Sequence, residues 1–495
     1  MADRNRTRTP RATSKPEVTG EVLDLTAATE FLKVSKPTFY RWLAQGKIKG
    51  FKAGTQWRFY RSDLENFLRA EDPGALQVDA DALRAAVQKA RKARGLKPIE
   101  WPERETEEEA TVIGIVNSLI VEAIGAGASD IHIDATADAV VVRYRVDGVL
   151  SEALTLPKEA HRAIISRLKL MADMNISERR APQNGRITVE HQGREYDLRV
   201  TTIPALFGES AISRILDQNI VLVTHNMLGL SERMRKDFER LLRVPQGLII
   251  VTGPAGSGRT TTLYSSLNLI ASPRIKVCTI EDPVEYRLPN AMQVHVNRKA
   301  GLTFPVALRT FMRADPDVIM VGGLHDLETA EGCVNAAMTG HLVLTTMLPA
   351  EAASAVTRLI DMGIEPFLVA SSLVAVLAQR LVRRVCEHCR EPYQPSADLL
   401  HRLYEKTTLD VTHAKFVRGK GCKECRQTGY RDRTGLFELL EVQSPIRELI
   451  AKPASTEDLR AATIEGGMTT LLKDGVEKAM QGITTIEEVM RVLAH

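Results

Sequence analysis

Apolar and polar positions divide the chain into seven stretches. The first 20 residues, MADRNRTRTPRATSKPEVTG, carry no apolar segment and are expected to form a disordered basic arm. From Glu21 a helical spacing sets in. It predicts a short helix over Thr26–Leu32, a turn at Val34-Ser35 and a second helix over about Lys36–Gln45. Two short strands around Ala53-Gly54 and a third helix, capped by Ser62 or Asp63, complete a module over 21–72. Residues 73–109 read as a helical charged linker with an acidic stretch at Glu103–Glu109. Over 110–228 an amphipathic helix, VNSLIVEAIGAG, precedes strands in SDIHIDA, AVVVRYRVDGVL, GRITVEHQGREYDLRVTTI and ESAISRIL, the pattern of a small α/β domain. Residues 229–382 contain VPQGLIIVTGPAGSGRTTTLYSSL, an apolar strand that runs into a glycine-rich turn and a helix. Two Cys-x-x-Cys pairs occupy 383–433, and 434–495 reads as a helical C-terminal region.

A length of 495 residues suits about three to four domains, and 44% hydrophobic with 26% charged residues excludes wholesale disorder. The net charge of +4 is too small to make the whole chain a nucleic-acid binder. The first 72 residues, however, hold 14 basic against 9 acidic side chains, so attraction to DNA or an anionic surface belongs to the N-terminus. The longest apolar run, Phe367–Ala378, contains two serines and falls short of the roughly 20 residues a spanning helix needs. With no signal-type segment at the start, the expected location is the cytoplasm. Six cysteines in so long a chain do not suggest a disulfide scaffold.

Gly253-Pro-Ala-Gly256-Ser257-Gly258-Arg259-Thr260-Thr261 has the spacing of a phosphate-binding loop, with arginine where lysine belongs. Its glycines let backbone N–H groups turn inward around a phosphate, and the following helix adds positive potential at its start. Thr260 would supply a hydroxyl for Mg²⁺. Arginine is larger than lysine, planar, and prefers forked contacts, so ATP or ADP binding is expected to be weakened or lost.

Beyond this loop the chain resembles the ATPases that power type II secretion and type IV pilus assembly. The resemblance covers about 110–495 and rests on ASDIHI, RYRVDGVL, RRAPQNGRI, GPAGSGRTTTLY, TIEDPVEYRLP, GLTFPVALRTFMRADPD, GHLVLTT, LAQRLVRRVCEHC and GYRDRTGLFELL. It implies an α/β fold: a RecA-like P-loop NTPase domain preceded by a smaller α/β domain, then a zinc knuckle and a helical tail. It also implies site residues. The acidic box would bring Glu281, Asp282 and Glu285 to Mg²⁺ and water, with Glu285 as residual base. Asp317 precedes the apolar strand Val318–Val321 and would face the nucleotide, and His341 is a retained histidine. Arg186 and Arg199, assisted by Arg214, would reach a neighbouring subunit's γ-phosphate.

The chain departs from that pattern in three places: Arg259, Gly323 and Leu348. Where the family reads G-E-x-R-D, this chain has Gly322-Gly323-Leu324-His325-Asp326, and Gly323 cannot orient a water. Leu348 stands where a second histidine is usual. Hydrolysis is therefore expected to be impaired, since losing one such group commonly costs about 10²–10³ in rate. An active motor is the alternative.

Cys386-x-x-Cys389 and Cys422-x-x-Cys425 are expected to hold structural Zn²⁺ in a closed tetrahedron, as the same family often does. Cys278 and Cys333 read as buried small hydrophobes. Residues 21–72 are similar to the excisionase-type winged helix-turn-helix family through LTAATEFLKVSKPTFYRWL and GKIKGFKAGTQWRFYRSDLENFL. That likeness implies that Ser35, Lys36, Thr38, Tyr40 and Arg41 face DNA, with Lys52, Arg58 and Arg61 near phosphates. A module that binds protein, or a DNA-binding regulator that uses the ATPase fold to oligomerise, stays open. The implied partners are further copies of the chain in a hexamer, an active paralogue in a mixed ring, and an inner-membrane platform protein.

Overall fold

The computed structural model describes residues 22–67 with breaks at 33, 35, 45–47, 54–55, 62 and 65–66, then 80–93, 98–99, 107–217, 224–407, 409, 411, 414–452 and 454–493. The N-terminal arm, Ser35 and about half of the 73–109 linker lie outside the described residues. Two compact units divide at Asp217/Gln218.

In the first unit a three-stranded sheet holds the N-terminal module together. Its strands are β1 (Val22–Asp24), β2 (Phe51–Ala53) and β3 (Gln56–Tyr60), in the order β1-β3-β2. β1 was not foreseen; three residues with one half-buried position carry too little alternation to read. The helices Leu25–Leu32 and Lys36–Ala44 bury Phe31, Leu32, Phe39 and Trp42 against Phe59 and Leu64. Leu170 and Ile176 of the following domain join the same cluster. That domain is a six-stranded antiparallel sheet of order β6-β5-β4-β9-β8-β7. Its strands are β4 (Ala128–Ala135), β5 (Ala139–Val146), β6 (Val149–Pro157), β7 (Gln183–His191), β8 (Arg194–Ile203) and β9 (Ser210–Asp217).

The helices Glu107–Gly125 and Ala160–Met171 cover the domain's core. The second was missed in the sequence because His161, Arg167 and Lys169 break its apolar stripe, yet all three are buried. Lys169 accounts for itself: its ammonium lies 2.5 Å from the Glu209 carboxylate and donates to the Glu178 carbonyl at 2.6 Å.

The second unit is built on a seven-stranded sheet. In chain order its members are β10 (Gly247–Thr252), β11 (Val277–Glu281), β12 (Ala291–His295), β13 (Val318–Val321), β14 (Leu342–Met347), β15 (Leu373–Val385) and β18 (Tyr430–Glu441). Between the last two lies a small hairpin, β16 (Arg390–Tyr393) with β17 (Phe416–Gly419). The sheet order is β12-β11-β13-β14-β10-β15-β18, parallel throughout except for β18. β10, β13 and β14 are buried at every position, as strands covered on both faces must be. The run Phe367–Ala378 divides between the helix Pro366–Ser372 and β15. The expected boundary at 433/434 falls inside β18, so the C-terminal region opens with a strand. The reason is pairing: TGLFELLE zips antiparallel onto LVAVLAQRLV, and the helices after it share one core with the parallel sheet.

Candidate functional site

The parallel sheet gathers the carboxyl ends of its strands at one edge, the usual place for a ligand crevice in such folds. β10 ends at Thr252 and passes into the loop 253–258, and the helix Arg259–Ile270 begins at once. Gly253, Gly256 and Gly258 have φ of 149°, 76° and 89°. Gly253 also needs the space: a Cβ there would lie 2.4 Å from the Gln379 carbonyl oxygen and 2.6 Å from Ser257 Oγ. Among the described residues the buried Ser257 hydroxyl has no hydrogen-bond partner, a spare polar atom in a loop shaped to take an anion.

Gln379 of β15 clamps the loop from behind. Its amide donates to the Ser257 carbonyl at 2.6 Å and accepts from Thr262 Oγ1 at 2.7 Å. Sequence reasoning missed this residue, although a lone glutamine amid LVAVLA was a usable signal.

Arg259 turns back on the loop. One guanidinium nitrogen donates to the carbonyls of Gly253 and Met347, the latter at 2.6 Å. Burial draws its pKa below the ordinary arginine value. Met347 also accepts from Gly253 N–H, so the carbonyl that closes β14 is shared between the loop and its arginine.

Beside the loop opens a cleft of about 160 Å³, lined among others by Thr260, Glu281, Asp282, Glu285, His325 and Thr346. Its carboxylates have different occupations. Glu281 is buried and committed: it accepts from Tyr264 Oη, from Thr279 Oγ1 at 2.6 Å and from Gln293 at 3.3 Å. Burial pushes the Tyr264 phenol up, and the Glu281 carboxylate adds to the effect. Asp282 pairs with Arg298 at 3.1 Å on the exposed rim. Tyr264 and Arg298 were not singled out in the sequence. Oxygen donors of this kind, the Thr260 hydroxyl with the nearby carboxylates, suit Mg²⁺.

Two expected residues are not brought to this cleft. Asp317 precedes β13 and accepts from the Lys276 backbone N–H at 2.7 Å. His341 precedes β14, with Nδ1 at 3.0 Å from the Ala336 carbonyl. Because the strands are parallel, both lie at the amino ends, roughly 13–20 Å of strand away from the loop. Leu348 follows β14 and is 59% exposed.

In the first unit, Arg186, Arg199 and Arg214 stand in register across β7, β8 and β9. Arg186 is held by a forked contact to Asp197, and Arg214 donates to Asp130 at 2.9 Å. The sheet thus presents an arginine row already braced by aspartates.

The four cysteines converge. Sγ separations are 3.9 Å for Cys386–Cys422, 3.8 Å for Cys389–Cys425 and 3.7 Å for Cys422–Cys425, and all four sulfurs lie within 4.8 Å of one another. A tetrahedron with metal–sulfur bonds of about 2.3 Å has edges of about 3.8 Å, so the cluster fits that geometry. Backbone N–H groups of Cys422 and Gly429 point at Cys425 Sγ from 3.1 and 3.3 Å. Burial opposes its ionisation, but these donors pull its pKa down to about 7. Cys278 and Cys333 are buried, as expected.

In the winged module several of the residues expected near DNA have partners within the chain. Arg41 pairs with Asp173 at 2.8 Å, and Trp42 Nε1 donates to the same carboxylate at 2.5 Å. Arg58 bonds to Gln56, Arg61 stacks on Phe31, and Lys52 lies over Trp57. Lys36 and Tyr40 are exposed, and Thr38 is half-buried.

The profile of the family described as "Type II/IV secretion system protein" matches residues 105–491. The chain belongs to that family. A helix-turn-helix domain profile matches residues 22–72. Type II secretion system protein HxcR of Pseudomonas aeruginosa is 44% identical over 388 residues, 78% of each chain. The type IV pilus assembly ATPase PilB of Thermus thermophilus is 43% identical over 383 residues, 77% of this chain and 43% of its own. Among solved structures, the ATPase DotB of Legionella pneumophila aligns with a TM-score of 0.58 at 18% identity, covering 80% of this chain and 98% of its own, a likeness of fold. The secretion-family chain is thus α/β, with a RecA-like domain after a smaller α/β domain and a helix-turn-helix at its start. Among the described residues no helix is long and apolar enough to cross a membrane.

Proposed function

We propose that this chain is a ring subunit of a type II secretion or type IV pilus assembly system that holds ATP weakly and hydrolyses it slowly. The observation that carries this reading is Arg259, whose guanidinium is spent on the carbonyls of Gly253 and Met347, where a cation would otherwise reach phosphate. Gly323 adds to it, since the second position after β13 carries no carboxylate. The loop's glycines and the Thr260 hydroxyl still suit a triphosphate with Mg²⁺. The metal supplies charge neutralisation when bound, and Glu285 lines the cleft as a further polar group. In a hexamer, alone or mixed with an active paralogue, the arginine row of Arg186 and Arg199 would serve the neighbouring subunit's phosphates. The ring would dock on an inner-membrane platform protein. The cysteine cluster would hold Zn²⁺ in a structural role.

Titration calorimetry of Mg-ATP into the full chain tests the reading. A Kd on the order of 0.1–1 mM, worth about 4–5.5 kcal/mol, is expected. Submicromolar affinity with rapid turnover abolished by Glu285→Gln would establish the active motor instead. For the winged module, the seat of Arg41 and Trp42 on Asp173 supports a part fixed to its own chain rather than a free reader of DNA. Anisotropy with random duplex DNA at low salt should then detect no salt-dependent binding.

A further inference from the structure

Gly323 is not simply an empty position. The loop after β13 is fixed on both sides of His325. Leu324 is buried and its N–H bonds to the Thr346 carbonyl at 2.9 Å, while Asp326 caps the helix Leu327–Met338 by accepting from Thr329 N–H at 2.8 Å. Between these anchors the imidazole of His325 turns back over Gly323. A Cβ on Gly323 would lie 2.7 Å from His325 Nε2 and 2.9 Å from Cε1, with Thr346 Oγ1 next at 3.5 Å. The ring therefore fills the volume that a side chain at 323 would need. It lines the cleft with Thr260 and Glu285, and meets the Phe304 ring edge-on at 6.2 Å. Among the described residues, neither ring nitrogen is engaged by a donor or acceptor of the chain.

We propose that His325 takes over the task left open at 323: its ring hydrogen-bonds to and orients the water that attacks the terminal phosphate of bound ATP. A neutral imidazole has one accepting and one donating nitrogen, either of which can fix a water at about 2.6–3.2 Å. In the step, the water oxygen bonds to the terminal phosphorus, and the bridge from that phosphorus to ADP breaks with its electron pair staying on ADP. One water proton remains on the phosphate and the other passes to solvent. The glycine and the histidine then form one coupled exchange, because a glutamate at 323 displaces the ring.

This inference rests on the cleft being a nucleotide site, so affinity and turnover are measured on the same full-length preparations. Single-turnover hydrolysis of radiolabelled ATP is compared for wild type, His325→Ala, His325→Gln, Gly323→Glu and Gly323→Glu with His325→Arg. Expected are a roughly 10²-fold fall in kcat for His325→Ala at unchanged Mg-ATP affinity, and partial retention by His325→Gln, which still hydrogen-bonds. Gly323→Glu alone should fall below wild type and the double variant rise above it, a non-additive pattern. No ATP binding at all overturns both the nucleotide reading and this one. Intact binding with no turnover, with turnover indifferent to His325, or with additive effects at 323 and 325 overturns this one alone.

Discussion

The phosphate loop and the cysteine cluster lie in the same unit and differ in how shape relates to chemistry. At the loop, shape comes from glycine backbone, from Gln379 and from the parallel strands; the groups that would meet a nucleotide are separate side chains. Arg259, Gly323 and Leu348 can therefore depart from the family's pattern while φ values, the clamp and the cleft persist. In the cluster the residues that make the shape are themselves the ligands. Sulfurs at 3.7–3.9 Å leave nothing that can change separately, and all four are present. Divergence is tolerated where a fold holds the chemistry up, and excluded where the chemistry holds the fold.

Breaking the cluster should have the largest effect. Structural zinc contributes on the order of 10 kcal/mol in small four-ligand domains. Cys389→Ser is expected to abolish metal content by atomic absorption and to give the largest loss of thermal stability of any variant considered. Next comes the frame behind it. Glu488 is buried and receives Arg383 and Arg491 at 2.8 and 2.6 Å. Burial alone would raise its pKa, but those two arginines outweigh it and hold it at about 2, against 4.5 unperturbed. A depressed carboxylate pKa stabilises the fold above the unfolded value. About 3 kcal/mol is thus present at neutral pH and is lost as pH falls from about 4.5 to about 2. Glu488→Gln should remove most of that pH dependence in denaturant melts, and an unchanged acid limb would count against the assignment.

At the loop the effects are smaller and concern binding. Gly253→Ala puts a methyl against the Gln379 carbonyl at a φ that disfavours side chains, so Mg-ATP affinity should drop about 100-fold, or roughly 2.7 kcal/mol. A lowered melting temperature should accompany it, because the same clash strains the loop without ligand. Arg259→Lys is the smallest change and has the opposite sign. A compact ammonium in place of the folded-back fork should tighten Mg-ATP by about tenfold in calorimetry. Unaltered affinity would mean that Arg259 already serves the phosphates.

Much of this was legible in the sequence, for identifiable reasons. Two Cys-x-x-Cys pairs and a glycine-rich turn between an apolar strand and a helix are local signals, and local signals survived folding. The two misplaced residues, Asp317 and His341, failed for a directional reason. Each stands next to the right strand but before it, and a parallel sheet sends those two ends to opposite edges. The helix Ala160–Met171 was hidden by buried His161, Arg167 and Lys169, whose partners are far away in sequence. The pairing of Arg41 with Asp173 was not legible, because the pattern of a recognition helix says nothing of a residue 132 positions further on. His325 read as a lost arginine, since only three dimensions reveal that its ring lies over Gly323.

β15 ties the phosphate loop, a buried ion pair and the cysteine cluster together. At its middle Gln379 grips the phosphate loop, four residues later Arg383 is moored to Glu488, and the chain then enters the first cysteine at 386. Some 23 Å of strand thus joins the phosphate loop to the cysteine cluster. Slack introduced at the cysteine end is therefore expected to reach the phosphate loop through seven residues of strand, less whatever the irregularity between Arg383 and Val385 absorbs.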